Sequence, residues 1–188
     1  MPAVTFMSLF GSKMKARGRR ARAAYEALGT LDDGDSVHIV TEGEFSFEHL
    51  AGAVVDQIGP ARLHLSCWVL STSTAKLLVE AKAAGILTEI RYVIDPRGRK
   101  IRWEAMAALR KGADAGCVVA NHSKIMVLRS NSRAVVILSS ANPNRNRRIE
   151  SFTVIADAET AAFYADTLDA MIEGRDPFEA GSKQKECF

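Results

Sequence analysis

A chain of 188 residues with 47% hydrophobic side chains can fill the core of one domain, and a net charge of only +3 excludes a surface that acts as one polyanion-binding field. No apolar run is long enough to span a bilayer, and the N-terminus runs apolar first and basic second, the reverse of a secretory signal, so a cytoplasmic protein is expected. Cys67, Cys117 and Cys187 are widely spaced with no CxxC pair, which indicates neither a disulfide framework nor a zinc knuckle.

Positive charge is concentrated at two places. In "KMKARGRRAR" six of ten residues are basic, Lys13, Lys15, Arg17, Arg19, Arg20 and Arg22. Residues 13 to 29 read as a basic amphipathic helix stopped by Gly29, and "TLDDGDS" as a turn-rich connector, giving an N-terminal segment over 1–31. That helix is either a solvated face or a contact for nucleic acid or anionic lipid.

From Asp32 the chain alternates. "SVHIV" reads as a strand; "SFEHLAGAVVDQIG" has a Ser N-cap, apolar residues at helical spacing and a Gly stop; "RLHLSCWVL" reads as a strand. A helix over "STAKLLVEAKAAG" closes at Gly85, "LTEIRYVID" is a strand, and "RWEAMAALRKG" is a short helix closed by Gly112. The strands "GCVVA", "HSKIMVLRS", "RAVVILSS" and "ESFTVIAD" follow, then an amphipathic helix from about Ala158 to Glu173. Strands separated by helices imply parallel crossovers, and the later run of strands implies an antiparallel portion. The fold class is therefore mixed α/β over 32–175, with a tail at 176–188 that frays.

"NHSKIMVLRS" places two titratable groups on what otherwise reads as a core strand. Alternation puts His122 and Lys124 on one face with Met126 and Leu128. Where the next strand meets them depends on the turn at "SNSR". A turn of odd length centred on Ser132 sets His122 opposite Asn142 and Lys124 opposite Ser140; an even one scatters the four to opposite faces. A convergent His, Lys, Ser and Asn set suits a phosphate, the ammonium and amide holding oxygens while the imidazole supplies a nucleophile or a proton.

"HSK", "SSAN" and Glu150 in "RRIESFTVIAD", in that order, resemble the signature of the phospholipase D-like superfamily, His-x-Lys, Gly-Ser-x-Asn and a later Glu. The order of strands and helices from Ser36 to Glu173 is similar as well. The resemblance implies that His122 forms a phosphohistidine, that Lys124 and Asn142 hold the nonbridging oxygens with Ser140 in support, and that Glu150 accepts a hydrogen bond from the other ring nitrogen. Only one such motif is present. Single-motif members of that superfamily pair as homodimers, so the resemblance implies a site shared by two copies, with His122 of the partner subunit as general acid, and no metal or other cofactor. Two positions depart from the pattern. Arg129 stands where the superfamily has Asp, on the face away from His122 by strand parity, and Ser139 stands in place of Gly. Variants with Ser-Ser-x-Asn followed by an Asn- and Arg-rich loop resemble those of phage and prophage genomes.

Arg145, Arg147 and Arg148 follow the asparagine and can track a nucleic-acid backbone, with the basic helix extending that path. No apolar entrance for lipid is apparent. The expectation is a metal-independent endonuclease, DNA being the first choice of partner. The alternatives are an inactive nucleic-acid-binding protein of the same fold and a phospholipid phosphodiesterase. His38 and His64 in strand patterns read as core or edge residues and Trp68 and Trp103 as core aromatics, His49 has no partner at useful spacing, and Ser66 or Ser71 could line the pocket but read as structural.

Overall fold

The computed structural model describes residues 15–144 and 148–175, and Lys13, Arg145, Arg147, Cys187 and the 176–188 tail lie outside them. In chain order the elements are α1 (Lys15–Leu28), β1 (Ser36–Thr41), α2 (Phe47–Ile58), β2 (Ala61–Cys67), α3 (Thr72–Ala83), β3 (Leu87–Ile94), α4 (Pro96–Ile101), α5 (Trp103–Gly112), β4 (Ala115–Val118), β5 (Ile125–Arg129), β6 (Ala134–Ser139), β7 (Glu150–Ile155) and α6 (Ala158–Ile172). Local signals account for most boundaries. Ser71 accepts from the Thr74 amide to cap α3, Asp157 accepts from Thr160 to cap α6, and Asp95 with Pro96 opens α4.

The seven strands form one mixed sheet in the order β1-β7-β6-β5-β2-β3-β4. β2, β3 and β4 are parallel, while β5, β6, β7 and β1 join by antiparallel pairs. β1, β2, β3, β4 and β6 therefore end, and β5 and β7 begin, at one edge of the sheet. Helices cover both faces. Ala21, Ala24 and Leu28 of α1 join α2, α3 and α5 in one core that takes Met126, Leu128, Val135 and Ile137 from the sheet. On the other face α6 covers Val127 and Val136 with Ala161 and Ala165. Burial on both faces is why β5 reads as an unbroken apolar run. The rings of Phe45 and Phe47 pack at 5.8 and 5.9 Å from Phe152, the kind of burial that contributes about 1.5–3 kcal/mol per side chain.

The basic helix is tied to this body. Tyr25 Oη donates to Asp56 at 2.7 Å, the Leu31 amide donates to Gln57 at 2.9 Å, and Gln57 Nε2 donates to the Gly29 carbonyl at 2.8 Å.

Candidate functional site

Two expectations about the His-Lys strand need correction. The strand begins at Ile125, so His122 and Lys124 lie on an irregular lead-in at the sheet edge. The turn has even length: Arg129 pairs with Ala134, and Ser130 to Arg133 close the loop with a Ser130 amide to Arg133 carbonyl bond of 2.8 Å. In this register Lys124 faces Ser139, whose amide donates to the Lys124 carbonyl at 3.0 Å, and the pairs His122/Asn142 and Lys124/Ser140 do not form. The parity rule would then scatter the polar groups, but both strands stop before reaching them. Beyond Ser139 the chain turns, the Ala141 amide donating to Ser139 Oγ at 2.8 Å and the Ser140 amide to the Ser151 carbonyl at 3.1 Å. Freed from the pleat, Lys124 turns to His122, Ser140 to Glu150 and Asn142 to the chain after β2.

His122 is exposed. Lys124 Nζ donates to the His122 carbonyl at 2.6 Å and lies 3.1 Å from Nδ1 and 3.5 Å from Nε2 of the ring. Partial burial holds the Lys124 ammonium below the usual lysine range, opposed by the Cys67 thiol and the Glu150 carboxylate, which favour its charged form. Glu150 thus sits within electrostatic reach of Lys124, and it accepts a short hydrogen bond from Ser140 Oγ, which itself accepts from the Ser151 amide at 3.1 Å. Asn142 spends its carbonyl on the chain after β2, accepting from the Trp68 and Val69 amides at 3.1 and 3.3 Å. The carboxamide –NH2 remains to donate. Arg148 is exposed beside this edge, Arg20 is half-buried, and Lys15, Arg17 and Arg19 fall on α1. Among the described residues no three His, Cys, Asp or Glu side chains converge as metal donors would.

Three site residues escaped the reading of the sequence. The ring of Trp68, taken as core, lies 6.4 Å from that of His122 at 46°, and its buried indole N–H has no hydrogen-bond partner among the described residues. Asn121 and Asp95 anchor the lead-in from below. The fully buried Asp95 accepts the Asn121 amide at 3.0 Å and the Arg97 amide at 2.8 Å, and takes the Arg97 guanidinium on both oxygens at 2.9 and 3.1 Å. That guanidinium holds the Asp95 carboxyl well below the usual carboxylate range against its burial. Asn121 Nδ2 donates to Ser66 Oγ at 2.9 Å and to the Cys67 and Val93 carbonyls at 3.2 Å, bridging the ends of β2 and β3. Its Oδ1 accepts from the Ser123 amide at 2.9 Å and hydroxyl at 2.7 Å, and the Ser123 and Ser66 hydroxyls meet at 2.5 Å. Ser66 therefore supports the site, whereas Ser71 caps α3. The signal in the sequence was a strand end, "YVIDP", and an Asn next to the His; only a fold brings them together.

No family model and no curated protein matches this chain. Solved structures do. A polyphosphate kinase from Porphyromonas gingivalis superposes with a TM-score of 0.52 at 15% identity, over 84% of this chain and 26% of that one. TrmBL2, described as an archaeal chromatin protein with a novel mode of DNA binding, superposes with a TM-score of 0.51 at 10% identity, over 87% of this chain and 62% of that one. This chain spans about a quarter of the first and under two thirds of the second. At such identities the likeness speaks for the fold alone: a seven-stranded mixed sheet flanked by helices, an α/β architecture that both proteins share with this chain.

Proposed function

We propose that the protein is a phosphodiesterase of the phospholipase D-like kind, a metal-independent endonuclease that works through a phosphohistidine at a site shared by two copies. The observation that carries the reading is the exposed His122 ring at the sheet edge, with Lys124 Nζ 3.1 Å from Nδ1, the Trp68 ring 6.4 Å away and the Glu150 carboxylate within electrostatic reach of the same ammonium. A phosphodiester arriving there meets donors first. Lys124 and the Asn142 –NH2 bind nonbridging oxygens and neutralise charge as it develops. An imidazole nitrogen of His122 attacks in line; the N–P bond forms as the P–O bond to the leaving oxygen breaks, and that oxygen takes a proton from His122 of the partner subunit. Water then attacks phosphorus, gives its proton to the partner's His122, and releases the first imidazole.

In the free protein the Lys124 ammonium is spent on the His122 carbonyl and lies against the ring. Phosphate competes for that ammonium, so substrate binding itself frees the imidazole. Nucleic acid is favoured over lipid by exposed Arg148 beside the site and by the likeness to TrmBL2, a chromatin protein that binds DNA. The test is cleavage of single- and double-stranded DNA by the wild type and by His122→Ala, with Mg²⁺ or with EDTA, alongside the mass in solution. Loss of cleavage in the variant, its persistence in EDTA and a dimer support the mechanism; cleavage by the variant, or strict metal dependence, defeats it. Salt-sensitive binding with no cleavage under any condition favours instead a nucleic-acid-binding protein, a reading consistent with the replacement of the superfamily's Asp by Arg129.

A further inference from the structure

The opposite edge of the sheet carries positive charge that the chemistry at His122 does not use. Arg129 closes β5, and the β2–β5 register sets it directly across from Arg62. Directly opposed residues of an antiparallel pair share a face, with Cβ atoms about 4.5–5.5 Å apart, and like charges there repel. Arg62 is partly offset by Glu89, whose carboxylate lies 3.4 Å from Nε but also takes Arg91 at 3.3 Å. The half-buried Arg129 has no carboxylate or hydrogen-bond partner among the described residues.

Both arginines line a cavity of about 400 Å³, together with Thr88, Ser130, Asn131 and Ser132, and among the described residues no acidic one lines it. The adjoining cavity, which Arg129 also borders, differs in this respect. It contains Asp33 and Asp157, and its Arg133 is already bonded to Asp33 at 2.9 Å. The charge imbalance therefore belongs to the first cavity.

We propose that this cavity binds a phosphoryl group. Guanidinium forks match phosphate oxygens two at a time. The Thr88 and Ser132 hydroxyls and the Asn131 carboxamide add neutral donors, so that a tetrahedral oxyanion finds more partners here than a flat carboxylate with two oxygens. The volume, within the range of small-ligand sites, leaves room for the group that carries the phosphate. From Ile125 to Arg129 the strand alone spans four residue steps, about 13 Å at ~3.3 Å per residue, and His122 lies beyond its start on the lead-in, so one phosphate cannot touch both places. This is a second anion site, and it stands whether or not His122 is a nucleophile.

The experiment is an amide-resolved NMR titration of the full chain with inorganic phosphate, run on wild type, on Lys124→Ala and on Arg129→Gln. The amides of Ser130, Asn131 and Ser132 are expected to shift saturably in wild type and in Lys124→Ala, with the dissociation constant raised tenfold or more in Arg129→Gln. A single-stranded oligodeoxynucleotide that displaces phosphate at these amides identifies the phosphate as that of a nucleic-acid backbone; a phosphate monoester that does so where the oligonucleotide does not identifies a small ester. Unmoved 130–132 amides in wild type, or equal affinity in Arg129→Gln, overturn the proposal. The wild-type arm decides even if the Arg129 variant does not fold.

Discussion

The backbone amide of Asn121 donates to the buried carboxylate of Asp95 at 3.0 Å, one residue before His122. This bond fixes the stretch that the pleat of β5 does not reach. Asn121→Ala removes three side-chain donations and leaves the Ser66 hydroxyl and the Cys67 and Val93 carbonyls to find other partners. The expected cost is about 1–3 kcal/mol in urea unfolding. On the proposed mechanism a fall in kcat larger than any rise in KM is expected, because the imidazole loses its aim while the donors proposed to bind phosphate remain. A variant with full stability and unchanged kcat would remove Asn121 from the account.

Acid should reach Asp95 late. Its carboxyl is held below the usual range by the Arg97 guanidinium, whereas in the unfolded chain it titrates near ~3.9. The unfolded state therefore binds the proton first, so the stabilisation by Asp95 is complete above pH ~4 and is lost as pH falls through the lower folded value. Asp95→Asn is expected to be least stable relative to wild type at neutral pH, with the gap narrowing below pH 4. Urea unfolding at pH 7, 4 and 3 measures this, and a gap independent of pH would show that the carboxylate's charge is not what matters.

Gly98 lets α4 approach the candidate site. A Cβ there would lie 1.8 Å from the Trp68 carbonyl oxygen and 2.9 Å from its carbon, backbone atoms that cannot rotate aside. Gly98→Ala must push α4 away or displace the chain at Trp68, beside the Asn142 anchor. Destabilisation by more than about 2 kcal/mol is expected, with a changed Trp fluorescence spectrum. An unperturbed variant would mean that α4 is seated more loosely than this packing implies.

Lys124 should set the alkaline limit of activity. Partial burial lowers its pKa from the ordinary lysine value near ~10.4, so the charge that holds phosphate in the proposed mechanism is lost earlier on raising pH than for an exposed lysine. Lys124→Arg keeps the charge at any accessible pH. It should cut kcat at neutrality because the fork cannot take the position of an ammonium, yet shift the alkaline limb upward. Identical limbs in the two proteins would assign the alkaline titration to another group.

Each element of the sheet announced itself in the sequence through length, alternation and punctuation. Gly29, Gly59 and Gly85 follow helix ends with positive φ, Ser46 stands at the N-cap of α2 where a cap was expected, and helices between β1, β2 and β3 imply the crossovers seen. α4 was missed because "PRGRKI" carries little apolar periodicity and owes its start to the Asp95 cap. Strand order, with β5 inserted next to β2, has no local signal at all.

The candidate site divides along the same line. The residues proposed for the site, His122, Lys124, Ser140, Asn142 and Glu150, could be named from the sequence because a phosphate would call on those groups. Their arrangement could not. The turn is even, the case in which parity alone separates the groups, and the contacts of Lys124 with His122 and of Ser140 with Glu150 form where β5 and β6 have ended. Whether two strands stop together is a matter of long-range pairing, of what Asn121, Asp95 and Ser66 find to bond with. Local sequence determined which segments became strands and helices; the tertiary structure alone decided that Trp68 leaves the core to lie beside His122 and that Arg62 and Arg129 face each other at the far edge, because register couples residues that lie 67 positions apart.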